Sequence, residues 1–447
     1  MKLILSPFII FALCFSAYSQ NYIADPAFAN DFAGRVGHSN SNITNPPGGG
    51  FMQASKCIIQ EGSYVYVAGK TTDDQYIYGG YILNKKNATN GSNSLLIKLN
   101  YGLLTTGTVN SDDIWVYSML SDASLNRLYV VGKTSATNKG IILCFDLVNL
   151  QLVTAFNTNG ILLMETGASV SDLILKDATS LFVVRTLAND IKMSEVSTSG
   201  TVGLTTTLGA TGKAYKSSRI KRYPGIYNRY FITGYVNQSS TNSPAIWGVD
   251  YTPGATKGAV GSLDLICHNA LELSTEGPGE FLDLCFPYNS NSGKYDIVCV
   301  GRTIAGNVDG STGIYIKYKG NTTMGAIFNL AIDNTYKNQT TLPGNGYCSN
   351  ISDPTNMTVF SGCEVIGDQV AIVGSYKIGS NMPHDANVAF INAAGTSISS
   401  KYIAPHGVAP NTTNVVHYPG RLSVNAANQI FVVGCDFGLS VFKLKSN

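Results

Sequence analysis

Histidine is the side chain that most readily serves as a general base or metal ligand near neutral pH. The chain has five: His38, His268, His384, His406 and His417. None belongs to an HxH or HExxH pattern, so a zinc-protease helix is excluded. Three sit in the contexts MPHD, APHG and VVHYPG, where loops sharing one face could bring them together; polar loop residues are the plainer reading. The carboxylate pairs Asp73-Asp74 and Asp112-Asp113 are adjacent, and neighbours on a strand point to opposite faces, so spacing alone makes neither an acid/base couple. No GxSxG elbow and no S-x-D-x-G-x-T-W box occurs. The loop GNVDGSTG (306–313) lacks the alternating ligands of a calcium loop. The GKT triplets at Gly69 and Gly132 are not phosphate loops, because Tyr64 and Arg127 stand where the first glycine is needed. These residues support no catalytic, cofactor-binding or metal assignment.

Aromatic and sulfur chemistry offer more. Tyr76, Tyr78 and Tyr81 lie in DDQYIYGGYILNKKNATNGSN, within the long segment 71–92. Ring faces cover the apolar face of a sugar and neighbouring amides bond its hydroxyls, so these three are the candidate ligand-binding residues. Tyrosine is also a good strand residue, and that reading stays open. Eight cysteines follow Cys14. Cys348 and Cys363 flank a Gly/Asn/Pro-rich stretch and form one candidate disulfide; Cys285 and Cys299, facing across a hairpin, form another. Cys57, Cys144, Cys285 and Cys299 also fit apolar strands as buried thiols. No CxxC spacing exists, which excludes a zinc ribbon. Nine N-glycosylation sequons are present, no more than a chain rich in Asn, Ser and Thr yields by chance.

The elements that position these residues follow from composition and pattern. Of 447 residues, 44% are hydrophobic and 13% charged, the reverse of a disordered chain. The net charge of +2 gives no electrostatic basis for nucleic acid or an anionic membrane as partner. Residues 1–19 read as an export signal: Lys2, an apolar run from Leu3 to Phe15, and Ala17-Tyr18-Ser19 before Gln20. The run is shorter than the roughly 20 residues a span needs. The expected destination is therefore secreted: extracellular, periplasmic or cell-surface.

One phrase then recurs through residues 20–447: YVYVAGKTT, RLYVVGKTS, SLFVVRTLA, RYFITGYVN, YDIVCVGRT, QVAIVGSYK and QIFVVGCDF. Its marker positions, Gly69, Gly132, Arg185, Gly234, Gly301, Gly374 and Gly434, are spaced by 63, 53, 49, 67, 73 and 60 residues. An apolar strand precedes each copy, and an alternating strand such as SLLIKLN or GIYIKYK follows. A weaker fourth strand leads to the next copy. The expectation is an all-β single domain, a seven-bladed β-propeller with four-stranded blades. The chain ends at VFKLKSN, a third strand, and the mature N-terminus supplies what looks like a fourth. The N-terminal strand is thus expected to complete the last blade and close the ring.

The phrase ADPAFANDFAGRV, with Asp25, Pro26, Phe28 and Gly34, resembles the opening of the delta-60 repeat family of exported bacterial propellers, and TAFNTNGILL, with Phe156 and Gly160, repeats it. The resemblance implies an exported propeller and transfers no catalytic residues. The functional expectation is a secreted or surface binding module, with glycan recognition through loops on one face. The alternatives are an exported hydrolase, lyase or oxidoreductase with a site at the channel, and a structural envelope or matrix component. Expected partners are carbohydrate or a cell-surface protein, with the chain a monomer.

Overall fold

The computed structural model describes residues 22–28, 38–40, 57–71, 80–209, 213–226, 228–238, 241–252, 265–272, 279–290, 293–304, 311–319, 331–332, 347–349, 357–377, 384–392, 398–403, 420–435 and 439–446. Residues 1–19, expected as an export signal, Tyr76 and Tyr78, and the loop 306–310 lie outside them.

Alternating sequences give antiparallel strands throughout, and the helix among the described residues is a single turn and a half, Tyr101–Thr106, capped by Asn100. The first sheet contains Cys57–Glu61, Tyr64–Thr71, Gly80–Asn87 and Asn93–Lys98. The second contains Ile114–Asp122, Arg127–Thr134, Lys139–Asp146 and Ile161–Thr166. The third and fourth run Ser169–Ser197 with Val202–Thr207, and Ala214–Tyr251 with Leu265–Glu272. The fifth is built on Gly279–Cys285, Ile297–Ile304 and Ser311–Lys319, and the sixth spans Met357–Ile366 to Ile398–Ile403.

These six blades are contiguous in sequence. The remaining sheet is a composite of both chain ends: Leu422–Val424, Ile430–Cys435 and Leu439–Ser446 from the C-terminal region, with Tyr22–Ala24 and His38–Asn40 added on the outer edge. Tyr22 pairs with Ser446 and Ala24 with Leu444. The first strand of each sheet packs on the first strand of the next, and Leu422–Val424 returns to Cys57–Glu61, so the ring of the β-propeller is closed.

The expectation of a seven-bladed propeller with four-stranded blades is corrected on the described residues. Six blades are contiguous and one sheet is composite. Five sheets have four strands, while the fifth blade and the composite sheet have five each. In the fifth blade both Ala331–Ile332 and Tyr347–Ser349 pair with Ser311–Lys319, and a ribbon, Tyr288-Asn289 with Lys294-Tyr295, is set beside it. The physical reason is that the repeated phrase marks only the second strand. It does not count outer-edge strands that insertions such as 333–356 supply.

The core is distributed as apolar layers between neighbouring sheets. Tyr66, Leu83, Val130 and Leu143 fill the layer between the first and second blades, and Phe182, Tyr230 and Trp247 that between the third and fourth. Each sheet thus buries both faces, which a lone four-stranded sheet cannot do.

Two glycine-dependent details decide how the first strands sit. Gly132, Gly234 and Gly301 each face a β-bulge on the preceding strand. A Cβ at these positions would lie 1.7, 1.9 and 1.9 Å from the backbone oxygens of Trp115, Lys216 and Glu280. The marker glycine is therefore needed for close backbone approach. In the third blade Arg185 holds the same place, and its guanidinium forks onto Glu165 at 2.8 and 3.0 Å.

Candidate functional site

The bulges fix what reaches the channel. On each first strand, one position is paired with the residue just before the marker. Its occupants are Cys57, Ser118, Asp172, Arg219, Asp283 and Gly362. Arg421 holds that position in the composite sheet, its carbonyl accepting from Val433 N. The extra bulge residue breaks the period of two, so the next side chain is carried toward the axis of the ring. Two residues further on lie Lys221 and Glu364.

These side chains form one network. Arg219 Nη1 donates to Asp172 Oδ1 at 3.0 Å and to Ser118 Oγ at 2.7 Å, and its Nε reaches Asp283 Oδ1 at 3.3 Å. Lys221 Nζ contacts Glu364 Oε1 at 2.7 Å and Asp283 Oδ1 at 3.5 Å. Arg421 Nη1 donates to the same Ser118 Oγ at 2.8 Å. The remaining carboxylate oxygens are anchored on backbone: Ile220 N donates to Asp172 Oδ2 at 2.8 Å and Cys363 N to Asp283 Oδ2 at 3.2 Å.

Electrostatics follow from this geometry. Burial opposes ionisation of Asp283, yet Lys221, Arg219 and Arg421 outweigh it and hold the carboxyl below the usual carboxylate range. Burial likewise opposes the charge on Arg219, but Asp172, Asp283 and Glu364 overcome it and raise its pKa. For Lys221, Asp283 and Glu364 do the same. Arg421 differs: burial and the neighbouring Arg219 both push its pKa down. The Cys57 thiol is pushed up to about 12 by burial, which makes it a poor nucleophile.

Beside the network lies a cavity of about 530 Å³. Asp172, Arg219, Lys221, Glu364 and Arg421 line it together with Ile59, Leu120, Ile174 and Leu422, and it extends to the turn holding Asn425, Ala426 and Asn428. That turn joins first and second strands of the composite sheet, so the cavity runs toward the ring face carrying such turns.

The sequence-derived candidates fall elsewhere. Tyr81 is 6% exposed and packs in the core between the first two blades. The hairpin end formed by Thr71 and Gly80, which bounds the tyrosine-rich segment, is at the opposite end of the blade from the turn at Gly62. It therefore belongs to the face away from the cavity. Asp112 is a structural clasp, accepting from Ala136 N at 2.7 Å and Thr137 Oγ1 at 2.7 Å; Asp113 accepts from Asn100 Nδ2 at 3.0 Å. His38, His268 and His384 lie on strands and their side chains are outside the described set, as are His406 and His417 entirely.

The disulfide candidates are corrected. Cys285, Cys299 and Cys363 are free and buried. Cys285 pairs with Val298 and Cys299 with Leu284. That one-residue offset puts the two sulfurs on opposite faces of the sheet, where they join different apolar layers. The side chain of Cys348 is outside the described residues. Among the described residues no group of three or more His, Cys, Asp or Glu side chains is arranged to hold a metal ion. Among them no helix is long and apolar enough to cross a membrane.

The channel residues were missed in sequence because they lie about 50 residues or more apart and share no local motif. The available signal was a charged residue at the middle of several first strands, Asp172 in SVSDLIL, Arg219 in KSSRIKR and Asp283 in EFLDLC.

No protein-family model matches the chain, and no curated protein matches it. Solved structures do. Hydrazine synthase of Kuenenia stuttgartiensis aligns over 89% of this chain and 100% of its own, with a TM-score of 0.51 and 10% identity. The Dos1 propeller aligns over 95% of each chain at a TM-score of 0.48 and 10% identity. Drosophila Plexin A, solved in complex with Semaphorin 1b, covers 94% of this chain and 88% of its own at 0.46 and 8% identity. At such identities the likeness concerns the fold.

Proposed function

We propose that this chain is an exported or cell-surface binding module whose ligand enters the central channel. The observation that carries the reading is the 530 Å³ cavity with Arg219, Lys221, Arg421, Asp172 and Glu364 on its walls. That volume is in the range of about 300–1,000 Å³ typical of small-ligand sites. Apolar patches at Ile174 and Leu422 beside charged groups are what recognition of a polar molecule with a carbon skeleton uses.

A purely structural component assigns no role to a charged cavity. Glycan recognition is the finer form of this reading: Glu364 and Asn428 line the cavity and supply an acceptor and an amide for sugar hydroxyls. The export signal and the delta-60 resemblance accord with an extracellular site of action.

The experiment is a glycan array with the mature chain, 20–447, and the variant Ala426→Trp. Ala426 is exposed at the cavity mouth, so the indole obstructs entry without touching the core. Saturable binding that Ala426→Trp abolishes supports the reading. Binding that survives this variant but is lost on shortening segment 72–79 moves the site to the opposite face and refutes it.

A further inference from the structure

We propose that the ligand received by the channel presents a carboxylate to Arg421 and Arg219, as a small hydroxylated acid such as a terminal uronic acid would. The inference rests on the channel being the recognition site. Two guanidiniums converge on one neutral oxygen: Ser118 Oγ accepts from Arg421 Nη1 at 2.8 Å and from Arg219 Nη1 at 2.7 Å. A hydroxyl neutralises neither cation. Arg219 has compensation on its other side, from Asp172 at 3.0 Å and Asp283 at 3.3 Å. Arg421 has no carboxylate within 4.0 Å among the described residues, and it faces the cavity.

Arginine keeps its proton in a protein, so like-charge repulsion at this point is relieved by an anion and not by deprotonation. The planar fork of Arg421 uses one of its five N–H donors on Ser118, and the rest match the two oxygens of a carboxylate. The surrounding charge selects among anions. Asp172, Asp283 and Glu364 are engaged by Arg219 and Lys221, so a monoanion at Arg421 is tolerated where a dianion would meet the carboxylates. At the other end, Glu364 and Asn428 offer partners to hydroxyl groups.

The test is isothermal titration calorimetry of the mature chain with galacturonate, its methyl ester and inorganic phosphate. The expected result is saturable galacturonate binding, the ester weaker by about tenfold or more and phosphate weaker than the acid. Arg421→Gln should bring acid and ester to equal affinity, while Ser118→Ala, which frees one N–H on each arginine, should keep the preference. If Arg421→Gln fails to fold by circular dichroism, the acid-to-ester ratio in the wild type and in Ser118→Ala decides. Equal binding of acid and ester, tighter phosphate binding, or no acid binding up to about 20 mM overturns the carboxylate assignment. If neutral sugars then bind and Ala426→Trp blocks them, the channel reading survives alone. If binding ignores Ala426→Trp, both fall.

Discussion

Replacing Gly234 with alanine tests whether the bulge and its facing glycine set the channel. The added Cβ would sit 1.9 Å from the backbone oxygen of Lys216, 2.9 Å from its carbonyl carbon and 3.0 Å from Ser217 Cα. Real Cβ contacts stop near 3.0 Å, so the Ala214–Arg222 strand must retreat by about 1.1 Å. Both clashing partners are backbone, so no side-chain rotation absorbs the change. Overpacking of this kind costs about 1–3 kcal/mol, and the upper end is expected where backbone must move. The same retreat displaces Arg219, which follows the bulge and holds Asp172, Asp283 and Ser118. Urea unfolding should therefore show a lower midpoint worth about 3 kcal/mol, with ligand affinity reduced in parallel. Gly203→Ala is the control, since its nearest foreign atom, Glu195 O, lies at 3.5 Å; the shift there should stay within about 0.5 kcal/mol. Arg185 occupies the marker place in the third blade, in a sheet that forms around a side chain there. If Gly234→Ala costs no more than Gly203→Ala, the close-approach account of the marker is wrong.

Asp250→Asn should cost about 3–5 kcal/mol in chemical unfolding, because it removes the negative charge from a buried ion pair in which Arg229 Nη2 reaches Asp250 Oδ2 at 2.6 Å; a loss below about 1 kcal/mol would deny the pair its role. Stability should fall on acidification: Asp283 has a folded pKa below its unfolded value of about 3.9, so its contribution is complete above that value and vanishes as pH drops through and below it. Equilibrium unfolding from pH 6 to pH 2 checks this, and Asp283→Asn should flatten the acid limb. Lys86 runs the other way, since burial lowers its pKa to about 7 while the unfolded chain keeps it near 10.4. The unfolded state binds more protons between those values, so stability should rise with pH across about 7 to 9.5, a slope that Lys86→Met should remove. Cys57 and Cys144, both pushed up to about 12 by burial, should resist Ellman's reagent in the native chain at pH 8 and react on unfolding.

The ring was legible in the sequence because its second strands repeat a β-branched run closed by a glycine, a pattern that depends on local spacing. The pairing of Tyr22–Ala24 with the last strand was legible from the phase in which the chain ends. Strand number was not, since an edge strand such as Tyr347–Ser349 carries no repeated phrase. The pair Cys285 and Cys299 looked opposed because hairpin distance was visible and register was not; one residue of offset turns the sulfurs apart. The tyrosine proposal rested on composition, and Tyr81 shows how the same ring serves as core. The channel site was invisible because a bulge adds one residue between Ser217 and Arg219 and defeats the period-two reading that assigns faces.

The bulge also separates what the fold requires from what the site requires. The D-P-x-F phrase is structural: Asp25 Oδ2 lies 2.9 Å from Lys443 Nζ, and Phe28 is buried edge-on to Phe431. Its second copy puts Phe156 against Tyr129 in the same manner. The marker glycines answer to a backbone oxygen under 2 Å from where a Cβ would be. Both sets answer to packing and backbone approach, the third blade meeting the same bulge with Arg185, and neither set lines the cavity. The position paired with the residue before the marker is the reverse case, carrying Cys57, Ser118, Asp172, Arg219, Asp283, Gly362 and Arg421 around one ring. Thiol, hydroxyl, carboxylate, guanidinium and hydrogen all fit there because the side chain projects toward the axis and strand pairing uses only its backbone. Chemistry at that register can change without altering the ladder, so under the proposed function it is where ligand preference would be set. A substitution there should move affinity more than stability unless, as with Asp172 and Asp283, its carboxylate also ties two first strands together, through Ile220 N and Cys363 N.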